Sequence, residues 1–267
     1  MQLWDTHCHL NLNNFAEDLA EVLLRAHQAG VSRILVPGID LQTSQQALDL
    51  AEKHPEIYAA VGIHPNDGLT WTEETLPRLR QLAAHPKCVA IGEIGLDYYR
   101  DRCPRDLQQT IFQAQLKLAG EMNLPVIIHN REALPDLWPI LASWQRQLAA
   151  DRSPLAGRPG VLHSYEGTLE GAHMAIQHNF RIGLNGPVTF KNAAERQFVA
   201  AGLPGSSILL ETDAPFLTPH PQRGKRNEPS FLQFINTKVA ALREVSADHL
   251  AETTFQNADQ LFLGSAA

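Results

Sequence analysis

Residues 7–9 read His-Cys-His. On an extended strand, where side chains alternate faces, His7 and His9 point the same way while Cys8 points away. Two imidazoles on one edge suit a divalent transition cation. Glu93, in Gly-Glu-Ile-Gly-Leu-Asp, follows the apolar run 89–91, and a carboxylate can offer one oxygen to each of two cations. His129 ends Val126-Ile127-Ile128, His163 ends Val161-Leu162, and Asp213 closes the run 208–212. Taken singly, each reads as well as a structural histidine or a salt-bridged carboxylate. Taken together they supply donors for a pair of ions. His7, His9, Asp213 and one oxygen of Glu93 would hold the first; His129, His163 and the other oxygen would hold the second. Two ions about 3.5–4 Å apart can generate hydroxide, polarise a phosphoryl oxygen and stabilise a leaving oxygen, which favours phosphoester hydrolysis. Glu93 as bridge and Asp213 as ligand and base are the expected catalytic pair.

Around this set stand weaker candidates. Asp5 shares the face of His7 and His9, as a hydrogen-bond acceptor behind a ligand or as a polar residue of the barrel floor. Glu211 lies two residues below Asp213, where a buried carboxylate needs a partner and a ligating histidine would serve. Asp97 is expected to order the loop after Glu93. Arg223, Lys225 and Arg226, with Asn227, follow the last strand and could meet phosphates. Arg131 could do the same or pair with Glu132. His64 is a substrate contact or a structural turn, and Asn185 reads equally as substrate-facing or as a turn residue. Tyr98, Tyr99 and Tyr165 are open between base stacking and plain packing.

Such residues need a scaffold that converges them. Apolar, β-branched runs at 3–7, 33–37, 58–63, 88–94, 125–129, 160–163, 180–184 and 207–212 alternate with helix-period stretches, among them 15–29, 41–53, 106–122, 168–178 and 246–262. Eight βα repeats predict an α/β fold of the TIM-type (β/α)8 class, whose strand C-termini meet at one mouth. Neither GxGxxG nor GxxxxGK[ST], which would favour an open nucleotide-binding sheet, occurs in the sequence. With 267 residues and no linker or repeat, residues 1–267 are expected to form a single domain. No apolar run reaches membrane length, and no secretory signal is expected, since Asp5 and His7 interrupt the start. Three cysteines without a CxxC pair point to a reducing, cytoplasmic setting. A formal charge of −7 argues against global attraction to nucleic acid and leaves room for a local basic site.

In the whole, the sequence resembles the TatD family of metal-dependent deoxyribonucleases, among the amidohydrolase-like metal barrels. The resemblance rests on DTHCHL (5–10), GIHP (62–65), GEIGLDYY (92–99), PVIIH (125–129), HSYEG (163–167), ETDAPFLTP (211–219) and RGKRNEP (223–229), in family order across the chain. It implies a TIM-type barrel, two divalent cations (Mg²⁺, Mn²⁺ or Zn²⁺) and hydrolysis of DNA phosphodiesters, often as a 3′–5′ exonuclease. Ligation carries over to His7, His9, Glu93, His129, His163 and Asp213, and substrate contact to Arg226 and Asn227. Departures are Asn130 after His129, and Tyr165-Glu166 where Phe-Ser is commoner; an added carboxylate on a phosphate path would alter substrate preference. DNA is the expected partner, with no membrane and no obligatory protein partner. Two rival readings remain: a binuclear hydrolase of a small amide, lactone or ester, and a non-catalytic binding protein on the same scaffold. No lysine stands at a strand end to be carbamylated as a bridge, and none of the six ligands is missing.

Overall fold

The computed structural model describes residues 1–100 and 102–264. Its strands are β1 (Leu3–Asp5), β2 (Val31–Pro37), β3 (Ile57–Val61), β4 (Cys88–Asp97), β5 (Val126–Arg131), β6 (Gly160–Leu162), β7 (Arg181–Leu184) and β8 (Ile208–Leu210). The helices are α1 (Leu19–Gln28), α2 (Leu41–Lys53), α3 (Thr75–Ala83), α4 (Arg105–Met122), α5 (Leu134–Ala150), α6 (Leu169–Gln177), α7 (Ala194–Gly202), α8 (Leu232–Leu242) and α9 (Ala247–Ala258). Sheet order follows chain order from β1 to β8, and the fold class is the (β/α)8 barrel. Parallel strands covered by crossover helices are buried on both faces, so they are apolar almost throughout. All ten residues of β4 are buried.

The chain divides into two compact units, residues 1–36, 164–177 and 181–267 in one, residues 37–163 and 178–180 in the other. In the first, β1 pairs with β2 from Leu3↔Val31 to Asp5↔Ile34, and β7 pairs with β8 from Ile182↔Ile208 to Leu184↔Leu210. The chain after β1 then runs alongside the chain after β8. Thr6 N donates to Leu210 O (3.1 Å), Asp213 N to His7 O (2.8 Å) and His9 N to Ala214 O (2.8 Å). The regular strand β1 is thus shorter than the predicted 3–7, yet its extended path continues to His9. α9 packs against β1 and β8, where Trp4 lies 5.9 Å from both Phe255 and Phe262.

In the second unit β3, β4, β5 and β6 are parallel neighbours. The β4–β5 register shifts between Ile91 and Ile94, a bulge that re-aims the strand around Glu93. Gly95 makes the close pairing beyond it possible. Its φ is +144°, and a Cβ there would lie 2.0 Å from His129 O.

Candidate metal centre

In the first unit the alternation expected of residues 5–9 holds. His7 and His9 bring their Nε2 atoms to 3.1 Å of each other, and Asp213 Oδ1 stands 3.8 Å from the first and 3.6 Å from the second. All three residues are buried. A tetrahedral ion with ligands at about 2.0–2.1 Å spaces its donors about 3.3 Å apart, so the observed separations fit one cation. Two imidazoles and a carboxylate form a donor set that suits a divalent cation and would leave positions for water and substrate.

The backbone that carries this cluster is held by side chains beneath it. Asp213 adopts φ +57°, a left-handed conformation that aspartate tolerates better than most residues. Thr212 donates from N (2.9 Å) and Oγ1 (2.6 Å) to the two Asp5 oxygens, and the His7 amide reaches Asp5 Oδ1 at 3.4 Å. Asp5 thus ties the β1 segment to the β8 segment. Burial, outweighing those hydrogen bonds, raises its carboxyl to about 8. Glu211, expected to back a ligating histidine, has its Oε1 accepting the Ser164 amide at 2.6 Å, in the turn that follows His163. Asn185, also buried, donates to Ser164 Oγ at 2.7 Å.

The second unit gathers another cluster around Glu93. Its Oε1 lies 2.8 Å from His129 Nδ1, 3.6 Å from His64 Nε2 and 4.0 Å from His163 Nε2. His129 Nε2 faces Asp97 Oδ2 at 3.2 Å. Held between two carboxylates, the ring can carry a proton on each nitrogen; ligation through Nδ1 would need that proton to be lost while the Nε2 proton stays directed at Asp97. Burial alone would lower the His129 pKa, but the hydrogen bonds to Asp97 and Glu93 raise it to about 9. Burial likewise opposes ionisation of Asp97. Its hydrogen bonds with His129, the Arg100 amide and Asn66 win, holding it well below the usual carboxylate range. Asp97 orders the following loop, as expected, through the Tyr99 (3.1 Å) and Arg100 (2.9 Å) amides. Its grip on His129 was not foreseen.

His64 joins Glu93 and His129 geometrically, with rings of the two histidines 4.4 Å apart. Its Nδ1 accepts the Asn66 amide at 3.1 Å, which puts the proton of a neutral ring on Nε2, facing Glu93. That arrangement makes His64 a donor rather than a ligand.

The candidate phosphate contacts divide. Arg223 and Lys225 are exposed, with Arg223 stacked on the Phe190 ring at 4.2 Å. Arg226 is engaged elsewhere: it makes a two-pronged ion pair with Asp18 (2.8 and 2.7 Å) and lies over the Phe15 ring. Asn227 is fully buried and donates to Thr212 O (2.8 Å) and Phe216 O (2.6 Å), bracing the loop after Asp213. Arg131 stacks on exposed Tyr99 at 4.6 Å. Tyr98 is tethered through its hydroxyl to Asp136 (2.9 Å), and Tyr165 donates to Thr168 O (2.8 Å). Glu166, the departure near a phosphate path, is paired with Arg196 at 2.7 Å.

The family model described as TatD related DNase matches residues 4–263. A Bacillus subtilis (strain 168) protein named "Uncharacterized metal-dependent hydrolase YabD" is 44% identical over 260 residues, covering 97% of this chain and 98% of that protein. The "3'-5' ssDNA/RNA exonuclease TatD" of Erwinia tasmaniensis is 38% identical over 266 residues, covering 97% and 99%. The crystal structure of YjjV, a TatD homolog from Escherichia coli K12, superposes with a TM-score of 0.90 at 35% identity over 98% of each chain. On the full-length profile match, these identities and the shared architecture, the chain belongs to the TatD-related DNase family.

Proposed function

We propose that the protein is a divalent-metal-dependent nuclease that hydrolyses DNA phosphodiester bonds, working from the 3′ end, with the chain acting as one catalytic domain. The observation that carries this reading is the His7–His9–Asp213 cluster, whose donor atoms lie 3.1–3.8 Å apart. His7, His9 and Asp213 would hold one cation; His129 and His163 would hold the other. Glu93 is kept as a metal-binding carboxylate on the strength of its motif. Bound divalent cations supply Lewis-acid activation of water and of the phosphoryl oxygen.

The chain's own residues do the rest. Asp213, at the edge of the cluster, takes the proton of the attacking water. Asp97 keeps His129 in its ligating tautomer, and His64 Nε2–H offers a hydrogen bond to a phosphate oxygen. Exposed Arg223 and Lys225 track the strand backbone, a local contact compatible with net acidity. The names of the Erwinia tasmaniensis relative and others like it extend the expected substrates to single-stranded DNA and RNA. Cytoplasmic residence is part of the proposal, supported by three buried free thiols. No helix among the described residues is long and apolar enough to cross a membrane.

Metal-resolved assay of wild type beside Glu93→Ala tests the reading, using 3′-labelled single- and double-stranded DNA, bis-p-nitrophenyl phosphate and a panel of lactones and cyclic amides. Wild type should shorten DNA with Mg²⁺ or Mn²⁺, and a folded Glu93→Ala variant should lose most turnover. Activity confined to the lactone and amide panel would replace this function with small-molecule hydrolysis.

A further inference from the structure

Phe216 is a large apolar side chain left 50% exposed, three residues after Asp213. Isolated exposed apolar residues are ordinary on a protein surface. Leu24, Met174 and Phe198, for instance, lie on outer helices. Phe216 differs in where it stands and in how firmly it is held. Its ring meets the His9 imidazole edge to face, centroids 6.0 Å apart at 67°, and half of the residue remains exposed. Its amide donates to Asp213 O (2.9 Å) and its carbonyl accepts from buried Asn227 (2.6 Å). The next residue, Leu217, lies so close to Gly186 that a Cβ there would meet Leu217 O at 1.9 Å. The segment is therefore braced on both sides, and the exposure of the ring does not come from a loose loop.

A braced backbone that presents a half-exposed aromatic ring beside a candidate metal ligand is arranged to receive a flat partner. Resting on the nuclease reading above, we infer that Phe216 is the stacking platform for a nucleobase next to the cleaved phosphodiester. This makes it the residue that favours unpaired 3′ ends, since every base has a π-face and only an unstacked one can use it. The ring touches substrate through the base and not through the reacting atoms. Its contribution therefore belongs to KM.

The test compares wild type with Phe216→Ala, Phe216→Leu and Phe216→Trp on single-stranded oligonucleotides. One series carries all its bases; the others lack the base at the last or at the penultimate position. Phe216→Leu keeps an apolar contact with His9 and serves if the alanine variant does not fold. The alanine and leucine variants should raise KM about tenfold on the full oligonucleotide, with kcat within about twofold of wild type. Phe216→Trp should restore the wild-type KM. On one of the two abasic substrates the variants and wild type should coincide. Quenching of 2-aminopurine at that position should occur with wild type and vanish with Phe216→Leu. Equal losses on full and abasic substrates, or a fall in kcat together with weaker Mn²⁺ binding, would show that Phe216 merely supports His9 and would overturn the inference alone. A wild type that cleaves none of these substrates rejects the nuclease reading and the inference with it.

Discussion

His7 and His9 set two Nε2 atoms 3.1 Å apart, with the Asp213 carboxylate within 4 Å of both. One proton at most can lie between two imidazole nitrogens at that distance, whereas a cation satisfies both at once. Chelator-treated protein should therefore gain stability when Mn²⁺ or Zn²⁺ is added. At a hundredfold excess over the dissociation constant the gain is about 2.7 kcal/mol. That corresponds to a rise in Tm of roughly 5–10 °C for a chain of this size. Differential scanning calorimetry with and without metal measures it. His9→Ala should abolish most of the rise, and an unchanged response in that variant would remove the first cluster as a cation site.

Asp97 holds His129 from behind. Replacing the acceptor behind a ligating histidine generally costs 10–100-fold in metal affinity or activity. Asp97→Asn is expected to lose about that much activity at limiting Mn²⁺, with part of the loss recovered at saturating metal. Circular dichroism of the variant before metal is added separates this from unfolding, since a folded protein that regains activity along the metal titration has lost affinity and not structure.

Arg223 and Lys225 should act through charge alone. Arg223→Ala and Lys225→Ala are each expected to weaken binding of single-stranded oligonucleotides of any sequence. Each should also reduce the slope of log K against log salt by about 0.7. Anisotropy titrations between low and moderate salt report both quantities. Sequence-dependent losses would assign these side chains a different task.

Arg226 and Asp18 predict a contrasting behaviour. The Arg226 hydrogen bonds, helped by Arg25, lower the Asp18 carboxyl to about 2. A carboxylate with a depressed native pKa stabilises the fold above its unfolded value of about 3.9 and stops doing so as pH falls through the native value. Wild type should thus exceed Asp18→Asn in Tm above pH 4. The gap should close as pH falls from 4 to about 2, and solvent exposure of the pair should keep it small. A pH series of melting curves provides the comparison, and a gap that widened on acidification would contradict the assignment.

Much of this architecture is written in the residue pattern. Doubly covered parallel strands require apolar runs, and the runs end where His129, His163 and Asp213 begin, so the candidate ligand positions stand out against Val, Ile and Leu. The proximity of His7 to Asp213 follows from ring closure, because the β8 segment returns beside β1. Other features depend on contacts between distant segments. RGKRNEP reads as a basic substrate loop, yet Arg226 meets Asp18 from the approach to α1 and Asn227 turns inward as a brace. The role of Asp97 arises only from the β4–β5 pairing beyond the bulge, which sets Asp97 opposite Arg131 and within reach of His129. Phe216, inside a motif prized for its carboxylate, carries no sequence mark of exposure.

The left-handed turn at Asp213 bears on how this position should be probed. Two things meet in this aspartate, since its side chain faces the His7 and His9 nitrogens and its main chain occupies a region that alanine and branched residues resist. Truncation would confound lost chemistry with a distorted turn, and a dead protein would prove little. Asparagine shares the conformational tolerance while surrendering the negative charge, so it is the replacement whose silence can be interpreted.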